Sequence, residues 1–128
     1  MLNISSILLG GSFGALARYL VSKQIYLFTN DIFPWGTLIV NLTGSLLIGF
    51  FYEIFNNVIV SVEIRNFITI GFLGAYTTFS TFSLENFNLL KESEYKLFTI
   101  NFLLNNIFGL VCVLFGFYFA RIFIKIIH

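Results

Sequence analysis

The chain has 128 residues, of which 58% are hydrophobic and 10% are charged, and its formal net charge at pH 7 is +1. Soluble domains carry about 25% charged residues, so this composition excludes an ordinary soluble domain. The balanced charge also argues against a nucleic-acid partner, because proteins that bind nucleic acids present a strongly basic surface. The composition therefore predicts a protein that resides in a lipid bilayer.

Four long runs of the chain carry no charged residue. These runs cover residues 1–17, 32–52, 66–84 and 97–120. A transmembrane helix needs roughly 20 mostly apolar residues, which is about the length of each run. We therefore predict an all-α integral membrane protein that forms a single four-helix domain over residues 1–128. Its helices are expected at about 3–27, 35–56, 63–90 and 96–126.

Lysine and arginine are divided evenly between the two ends of the predicted helices. Four crossings place both termini and the link between the second and third helices on one side of the membrane. That side carries Arg65, Arg121 and Lys125, and the opposite side carries Lys23, Lys91 and Lys96, with Arg18 nearby but deeper, so the count is three against three or three against four. An excess of positive charge on one side normally sets the orientation. The balance predicts insertion in both orientations, the alternative being a local signal that this count does not register.

Asparagines lie inside two of the predicted helices. Asn41 falls in the second helix, and Asn101 and Asn105 fall four residues apart in the fourth, on one helix face. A buried amide in hydrocarbon costs several kcal/mol unless it is hydrogen-bonded. Hydrogen bonding between helices explains each asparagine taken alone. The three together resemble the lining of a wet path.

Residues 71–82 read GFLGAYTTFSTF, with four hydroxyl side chains between residues 77 and 82. Gly71 and Gly74 weaken helix formation, and the hydroxyls offer the backbone alternative hydrogen bonds. We predict that the third helix is broken in mid-membrane near residues 74–78. Such a break is tolerated where protein buries it or where it lines a cavity, and its freed carbonyls can hold a small cation.

Phe79 and Phe82 are three residues apart and share a helix face just beyond the predicted break. The edge of a phenylalanine ring is electrically positive, so ring edges turned toward a pore favour a small anion. Ser80 and Thr81 lie on neighbouring faces. The alternative is ordinary packing, because the chain contains 18 phenylalanines.

Charged residues within the predicted helices are few. Glu53 and Glu85 fall near helix ends, where exposure at the membrane interface is the expected state. Arg18 either extends to the interface or holds positive potential in an aqueous vestibule. The sequence contains no acidic residue in mid-membrane, which disfavours a proton-coupled carrier, and no nucleophile–base pair, which disfavours an enzyme.

Three blocks of the sequence together resemble the Fluc/CrcB family of fluoride channels. They are GGSFGALARY in the first helix, GTLIVNLTGSLLIG in the second and GAYTTFSTFSLE in the third. The resemblance extends over the whole chain and includes its length and its charge balance. It implies an antiparallel, dual-topology homodimer with two pores, each lined by both subunits.

The resemblance also implies roles for individual residues. The paired pore phenylalanines match Phe79 and Phe82, the pore asparagine of the second helix matches Asn41, and the adjacent hydroxyls match Ser80 and Thr81. The polar track of the fourth helix, often tyrosine and serine in the family, here corresponds to Asn101 and Asn105.

The family's central sodium ion and its vestibule also have counterparts in this sequence. The backbone carbonyls that hold Na⁺ at the dimer two-fold axis match those of Gly74 and Thr77. Arg18 matches the vestibule arginine, and Glu85 matches the acidic residue beyond the phenylalanines.

The function that the resemblance implies is passive conduction of fluoride across the plasma (inner) membrane, which lowers cytoplasmic fluoride without catalysis. Two alternatives remain. A small dual-topology multidrug antiporter is also a four-helix dimer, but its mechanism needs a glutamate in the first helix. A noncatalytic accessory subunit of a larger complex would carry no ion flux by itself.

Overall fold

A computed structural model describes residues 2–127, and Met1 and His128, the ends of the predicted domain, lie outside the described residues. Helix α1 covers Leu2–Thr29 and α2 covers Trp35–Asn57. Helix α3 covers residues 62–76 and contains a π-helical stretch at Phe67–Leu73. Helix α4 covers Phe79–Lys91. Helix α5, Tyr95–Ile127, contains a second π-helical stretch at Leu104–Phe108.

The described chain is helical throughout apart from short connections, and it contains no strand. Four stretches are long and apolar enough to cross a membrane: Asn3–Thr29, Trp35–Asn57, Val62–Lys91 and Tyr95–Ile127. The prediction of an all-helical protein with four membrane-spanning segments is confirmed. The third segment consists of α3 followed by α4.

Glycines allow the backbones of neighbouring helices to touch. A Cβ on Gly116 of α5 would overlap the carbonyl oxygen of Leu46 in α2, and one on Gly49 would overlap that of Val113. Gly10 and Gly14 of α1 lie in the same way against the backbone of the first π-helical stretch. In lipid, where no hydrophobic force drives helices together, such small residues permit the close packing that holds the bundle.

The chain leaves its helical conformation between α3 and α4. Thr77 (φ −78°, ψ 157°) and Thr78 (φ −147°, ψ 118°) are extended. Helix α4 begins when the Thr78 hydroxyl oxygen accepts a hydrogen bond from the backbone N–H of Thr81 at 3.2 Å, as an N-cap does. The helix axis is thus interrupted for two residues.

Glu53 differs from the exposure expected of it near a helix end. Its side chain is buried, with the residue only 8% exposed, and its carboxylate lies 3.4 Å from the guanidinium of Arg121. A buried carboxylate is tolerated when it is paired. This ion pair joins the last turns of α2 to α5 at the end of the bundle that holds the α2–α3 link.

The link between α1 and α2 is closed by Asp31. One carboxylate oxygen accepts from the Ile32 N–H at 2.7 Å, and the other accepts from the indole N–H of Trp35 at 3.2 Å. These two bonds, the Trp35 bond first, lower the pKa of Asp31 from its ordinary value of 3.8. Pro34, which has no N–H to satisfy, immediately precedes α2.

Acidification should release Trp35 from this link. Because the folded-state pKa of Asp31 is lowered, the contact is fully present above pH 3.8 and is lost as the pH falls through the lowered value. Trp35 is the single tryptophan of the chain, so its emission reports the loss directly. We expect a wild-type transition with a midpoint below pH 3.8 that is absent in Asp31→Asn. Identical titrations of the two proteins would contradict the assignment.

Candidate functional site

The interruption between α3 and α4 is held by one asparagine side chain. Asn41 Oδ1 of α2 accepts from the backbone N–H of Thr78 at 2.8 Å, and Asn41 Nδ2 donates to the Thr78 carbonyl at 3.1 Å. Both backbone groups of Thr78 therefore have partners although the helix is interrupted, which is what an apolar environment requires. Asn41 is positioned for this by α2, which runs alongside the interruption.

A second contact holds the residues just before Thr78. The hydroxyl of Tyr76 lies 2.9 Å from that of Thr43 in α2. Between these contacts, Gly44 faces Thr77: a Cβ on Gly44 would overlap the Thr77 methyl group and lie 3.2 Å from the Tyr76 ring. The absence of a side chain at Gly44 lets the extended residues approach α2.

Four asparagines form a chain of hydrogen bonds that starts at this contact. Asn41 Nδ2 donates to Asn105 Oδ1 at 2.9 Å, Asn105 Nδ2 donates to Asn101 Oδ1 at 2.9 Å, and Asn101 Nδ2 donates to Asn86 Oδ1 at 3.1 Å. We call Asn41, Asn105, Asn101 and Asn86 the asparagine ladder. The three asparagines that the sequence analysis named, Asn41, Asn101 and Asn105, thus come together. Each makes hydrogen bonds between or within helices, which was the alternative to lining a wet path.

Asn86 is the member of the ladder that the sequence analysis missed. It is buried, yet it follows Glu85 in a polar stretch near the end of the third predicted helix, where an exposed position is the normal expectation. Only the antiparallel packing of α4 against the first half of α5 brings it to Asn101, 15 residues away in sequence.

A cavity of about 350 Å³ opens beside the interruption. Its lining includes Asn41, Ser45, Gly74, Thr77, Thr78, Phe79, Phe82 and Asn105. The ring centroids of Phe79 and Phe82 lie 5.7 Å apart with their planes tilted by 48°. Phe79 is 77% exposed, whereas Phe82 is 6% exposed and lies between Phe79 and Phe102. The two rings therefore extend from the surface of the described chain to its interior.

A second cavity, of about 690 Å³, also reaches Thr78 and is lined by α1, α2 and α4. Glu85 Oε1 accepts hydrogen bonds there from the hydroxyls of Thr37 at 2.6 Å and Tyr26 at 3.0 Å. Its other oxygen, Oε2, is buried and has no partner among the described residues. Thr78 lines both cavities, so the two lie next to each other at this residue.

The structure divides the predicted site residues between these cavities. The smaller one is lined by Asn41, Gly74, Thr77, Phe79, Phe82 and Asn105, and the larger one by Arg18, Thr81 and Glu85. Asn101, which is fully buried at 0% exposure, and Ser80 line neither cavity. Arg18 lies at the larger cavity, half-buried, and its guanidinium is 3.4 Å from the Thr77 carbonyl.

The carbonyls of Gly74 and Thr77 are free of the partners that an unbroken helix would give them. The N–H of Thr78 donates to the α2 side chain, and the N–H of Thr81 donates to the Thr78 hydroxyl. Neutral carbonyl oxygens without a carboxylate suit a hard monovalent cation better than Mg²⁺ or Ca²⁺. In the part of the chain that the structure describes, no cluster of His, Cys, Asp and Glu offers a different metal site. Two neutral carbonyls of one chain are compatible with a shared Na⁺ site, with the Arg18 guanidinium 3.4 Å from the Thr77 carbonyl.

Comparison with known proteins gives a consistent result. A family model described as "CrcB-like protein, Camphor Resistance (CrcB)" matches residues 5–117. Similar proteins include one from Geobacter metallireducens, 43% identical over 94% of this chain and 98% of the relative. One from Magnetococcus marinus is 41% identical over 88% of this chain and 90% of the relative. One from Bacteroides fragilis is 41% identical over 96% of this chain and 99% of the relative. Each is named "Fluoride-specific ion channel FluC".

These matches cover nearly the whole chain, including the helices that form both cavities. The relatives are named as channels, so the family is one of ion channels and not of enzymes. Together with the four membrane-spanning segments, they make this a multi-pass protein of the plasma membrane. The resemblance seen in three sequence blocks is confirmed: the chain belongs to the CrcB family of FluC-type ion channels.

Proposed function

We propose that this chain conducts fluoride passively across the plasma membrane. The observation that carries the proposal is the interruption at Thr77 and Thr78, which is followed by paired phenylalanines at one cavity and by the Thr81 hydroxyl at the adjacent one. The relatives of the chain are named as fluoride-specific channels. Fluoride is small and strongly hydrated, so its passage needs groups that replace water one step at a time.

The proposed path uses hydroxyl donors and ring edges. Thr78 donates its hydroxyl proton to the Thr81 oxygen at 3.0 Å, which leaves the Thr81 proton available at the larger cavity. Ser80 is exposed beside it. Phe79 and Phe82 present polarised C–H edges at the smaller cavity. Fluoride would move between the hydroxyls and the rings, while Arg18 and the partly buried Glu85 shape the potential of the vestibule.

We further propose that two antiparallel copies complete the site, each pore being lined by both subunits. Thr77 lies 15 residues after Val62 and 14 before Lys91, so in a membrane-spanning segment the interruption falls near mid-bilayer. Gly74 and Phe79 are exposed at this level in the single chain, and a second copy would cover them. The even division of lysine and arginine supports pairing of copies that face opposite ways.

The direction of net flow follows from the chemistry of the ion. Hydrogen fluoride is a weak acid that crosses membranes uncharged and ionises in a near-neutral cytoplasm, where fluoride accumulates. A membrane potential that is negative inside drives an anion outward with about 2.3 kcal/mol per charge per 100 mV. A passive pore therefore lowers cytoplasmic fluoride. The antiporter alternative is not favoured, because α1 contains no acidic residue to couple the exchange.

At the two-fold axis of such a dimer, we propose a structural Na⁺ held by the carbonyls of Gly74 and Thr77 from both copies. Four neutral oxygens would surround the ion, and its charge would raise the local potential for fluoride. Within one chain, the Arg18 guanidinium already lies near the Thr77 carbonyl.

Purified protein in liposomes should release fluoride, and Phe82→Ile should reduce that release roughly tenfold. Isoleucine fills volume but has no positive ring edge, and an aromatic edge contact of about 1.4 kcal/mol corresponds to a factor of ten in rate. Phe55→Ile, at a similarly buried position (7% exposed) outside both cavities, is the matched control and should conduct as wild type. Fluoride efflux is followed with an ion-selective electrode. No efflux from wild-type protein would overturn the channel itself, and wild-type efflux from Phe82→Ile would assign the ring to packing.

A tag at the C-terminus should be labelled about equally from the two sides of the membrane. Val58→Lys/Ile59→Lys, two exposed positions in the α2–α3 link, adds positive charge to one side and should make the orientation uniform. Fluoride efflux should then fall, because antiparallel pairs are depleted. Uniform orientation of the wild-type chain would refute dual topology.

Exhaustive replacement of sodium by a large organic cation should lower both dimer stability and fluoride efflux, and sodium should restore them. The two quantities are measured by single-molecule photobleaching of labelled dimers and by the electrode assay. If both are unchanged after complete exchange, the carbonyls of Gly74 and Thr77 hold no structural sodium.

A further inference from the structure

The asparagine ladder has one direction of donation along its whole length. The backbone N–H of Thr78 donates to Asn41, which donates to Asn105. Asn105 donates to Asn101, and Asn101 donates to Asn86. Asn41, Asn105 and Asn101 each accept from one neighbour and donate to the next, and Asn86 accepts at the end. Turning any one of these amides would place two acceptors or two donors face to face. The orientation of every member is therefore fixed by the others.

The ladder ends in two buried asparagine side chains. Asn101 is fully buried and Asn86 is 6% exposed. In such low-dielectric surroundings, hydrogen bonds in series strengthen one another, and an unpaired amide is costly. The buried end thus holds the amides nearer the cavity in place. Asn105 has a second bond from Nδ2 to the backbone carbonyl of Asn101 at 3.1 Å, which uses its remaining N–H.

The ladder also closes on the helix from which it starts. Thr78 is the N-cap of α4, and Asn86 lies eight residues later on the same helix. Phe82 lies midway, four residues from each, and its ring also contacts that of Phe102, next to Asn101. The ladder therefore fixes α4 at both sides of Phe82, through α2 at one point and through α5 at the other.

We propose that Asn101 and Asn86 are positioning residues for permeation: they act through Asn105 and Asn41 to hold Thr78 and the ring of Phe82 in place. Neither residue lines either cavity, so neither touches the ion. The proposal rests on the proposed fluoride conduction and assigns a separate task within it. The ladder supplies geometry, and the hydroxyls and ring edges supply the contacts with fluoride.

A shape-matched pair of variants separates hydrogen bonding from packing. Asn101→Thr retains a hydroxyl that can accept from Asn105 and donate to Asn86, whereas Asn101→Val has the same shape and can do neither. Two quantities are measured in liposomes or nanodiscs: fluoride efflux, and hydrogen exchange of the Thr78 amide, 23 residues away in sequence. Exchange at residues 111–118, in the far half of α5, is the internal control.

For Asn101→Val we expect fluoride efflux about tenfold lower and Thr78 exchange about tenfold faster, the change that loss of one buried hydrogen bond produces. The control amides should be unchanged. Asn101→Thr should stay within about threefold of wild type in both measurements. If Asn101 only stabilised the bundle, its replacement would change the exchange of Thr78 and of the control amides alike, or of neither.

If Asn101→Val does not assemble, the same comparison is made at Asn86, nearer the end of α4, where Asn86→Thr keeps the acceptor for Asn101 and Asn86→Val removes it. Wild-type efflux and exchange in the valine variants would overturn the proposal, as would equal losses in the threonine and valine variants. A wild-type protein that releases no fluoride would instead overturn the proposed function.

Discussion

The structure depends on one pair of hydrogen bonds, those between the Asn41 amide and the two backbone groups of Thr78. Inside a bilayer, every backbone polar group must find a partner within the protein. An interruption in a helix violates that rule unless a side chain supplies the hydrogen-bond partners that the missing helical turn would have provided. One amide, which donates and accepts at once, satisfies both groups. The position of the exposed rings and of the carbonyls that lack helical partners follows from this replacement of helical hydrogen bonds by those of Asn41.

Much of the architecture could be predicted because membrane insertion leaves a strong mark on composition. Runs of about 20 residues without charge identify the spans, and Pro34 marks the start of the second. Polar residues inside such runs are costly and therefore conspicuous, which is why Asn41, Asn101 and Asn105 could be named from sequence. Glycines followed closely by hydroxyl side chains likewise predicted an interrupted helix around Thr77.

What sequence reasoning could not supply is which polar groups meet. Asn86 lies in a stretch that resembles an exposed helix end, and only the packing of α4 on α5 buries it. For Asn101 the sequence left open a wet path or hydrogen bonding between helices, and in the single chain this residue is fully buried and bonded to Asn86 and Asn105. Glu53 was expected to be exposed at the interface and is instead buried, paired with Arg121. In each case a contact between helices decides the surroundings of the side chain. Such a contact leaves no periodic pattern in the sequence of either helix.

The meeting of the two cavities at Thr78 has an electrical consequence. Were water to fill the cavities of about 350 and 690 Å³ and connect them to opposite sides of the membrane, they would conduct far better than the protein around Thr78. A voltage across two conducting chambers falls almost wholly across the thin insulating wall between them. The field at Thr78 would then far exceed the average over a bilayer about 30 Å thick. An ion would gain most of its electrical energy in crossing that wall, within one or two residues of the Asn41 contact.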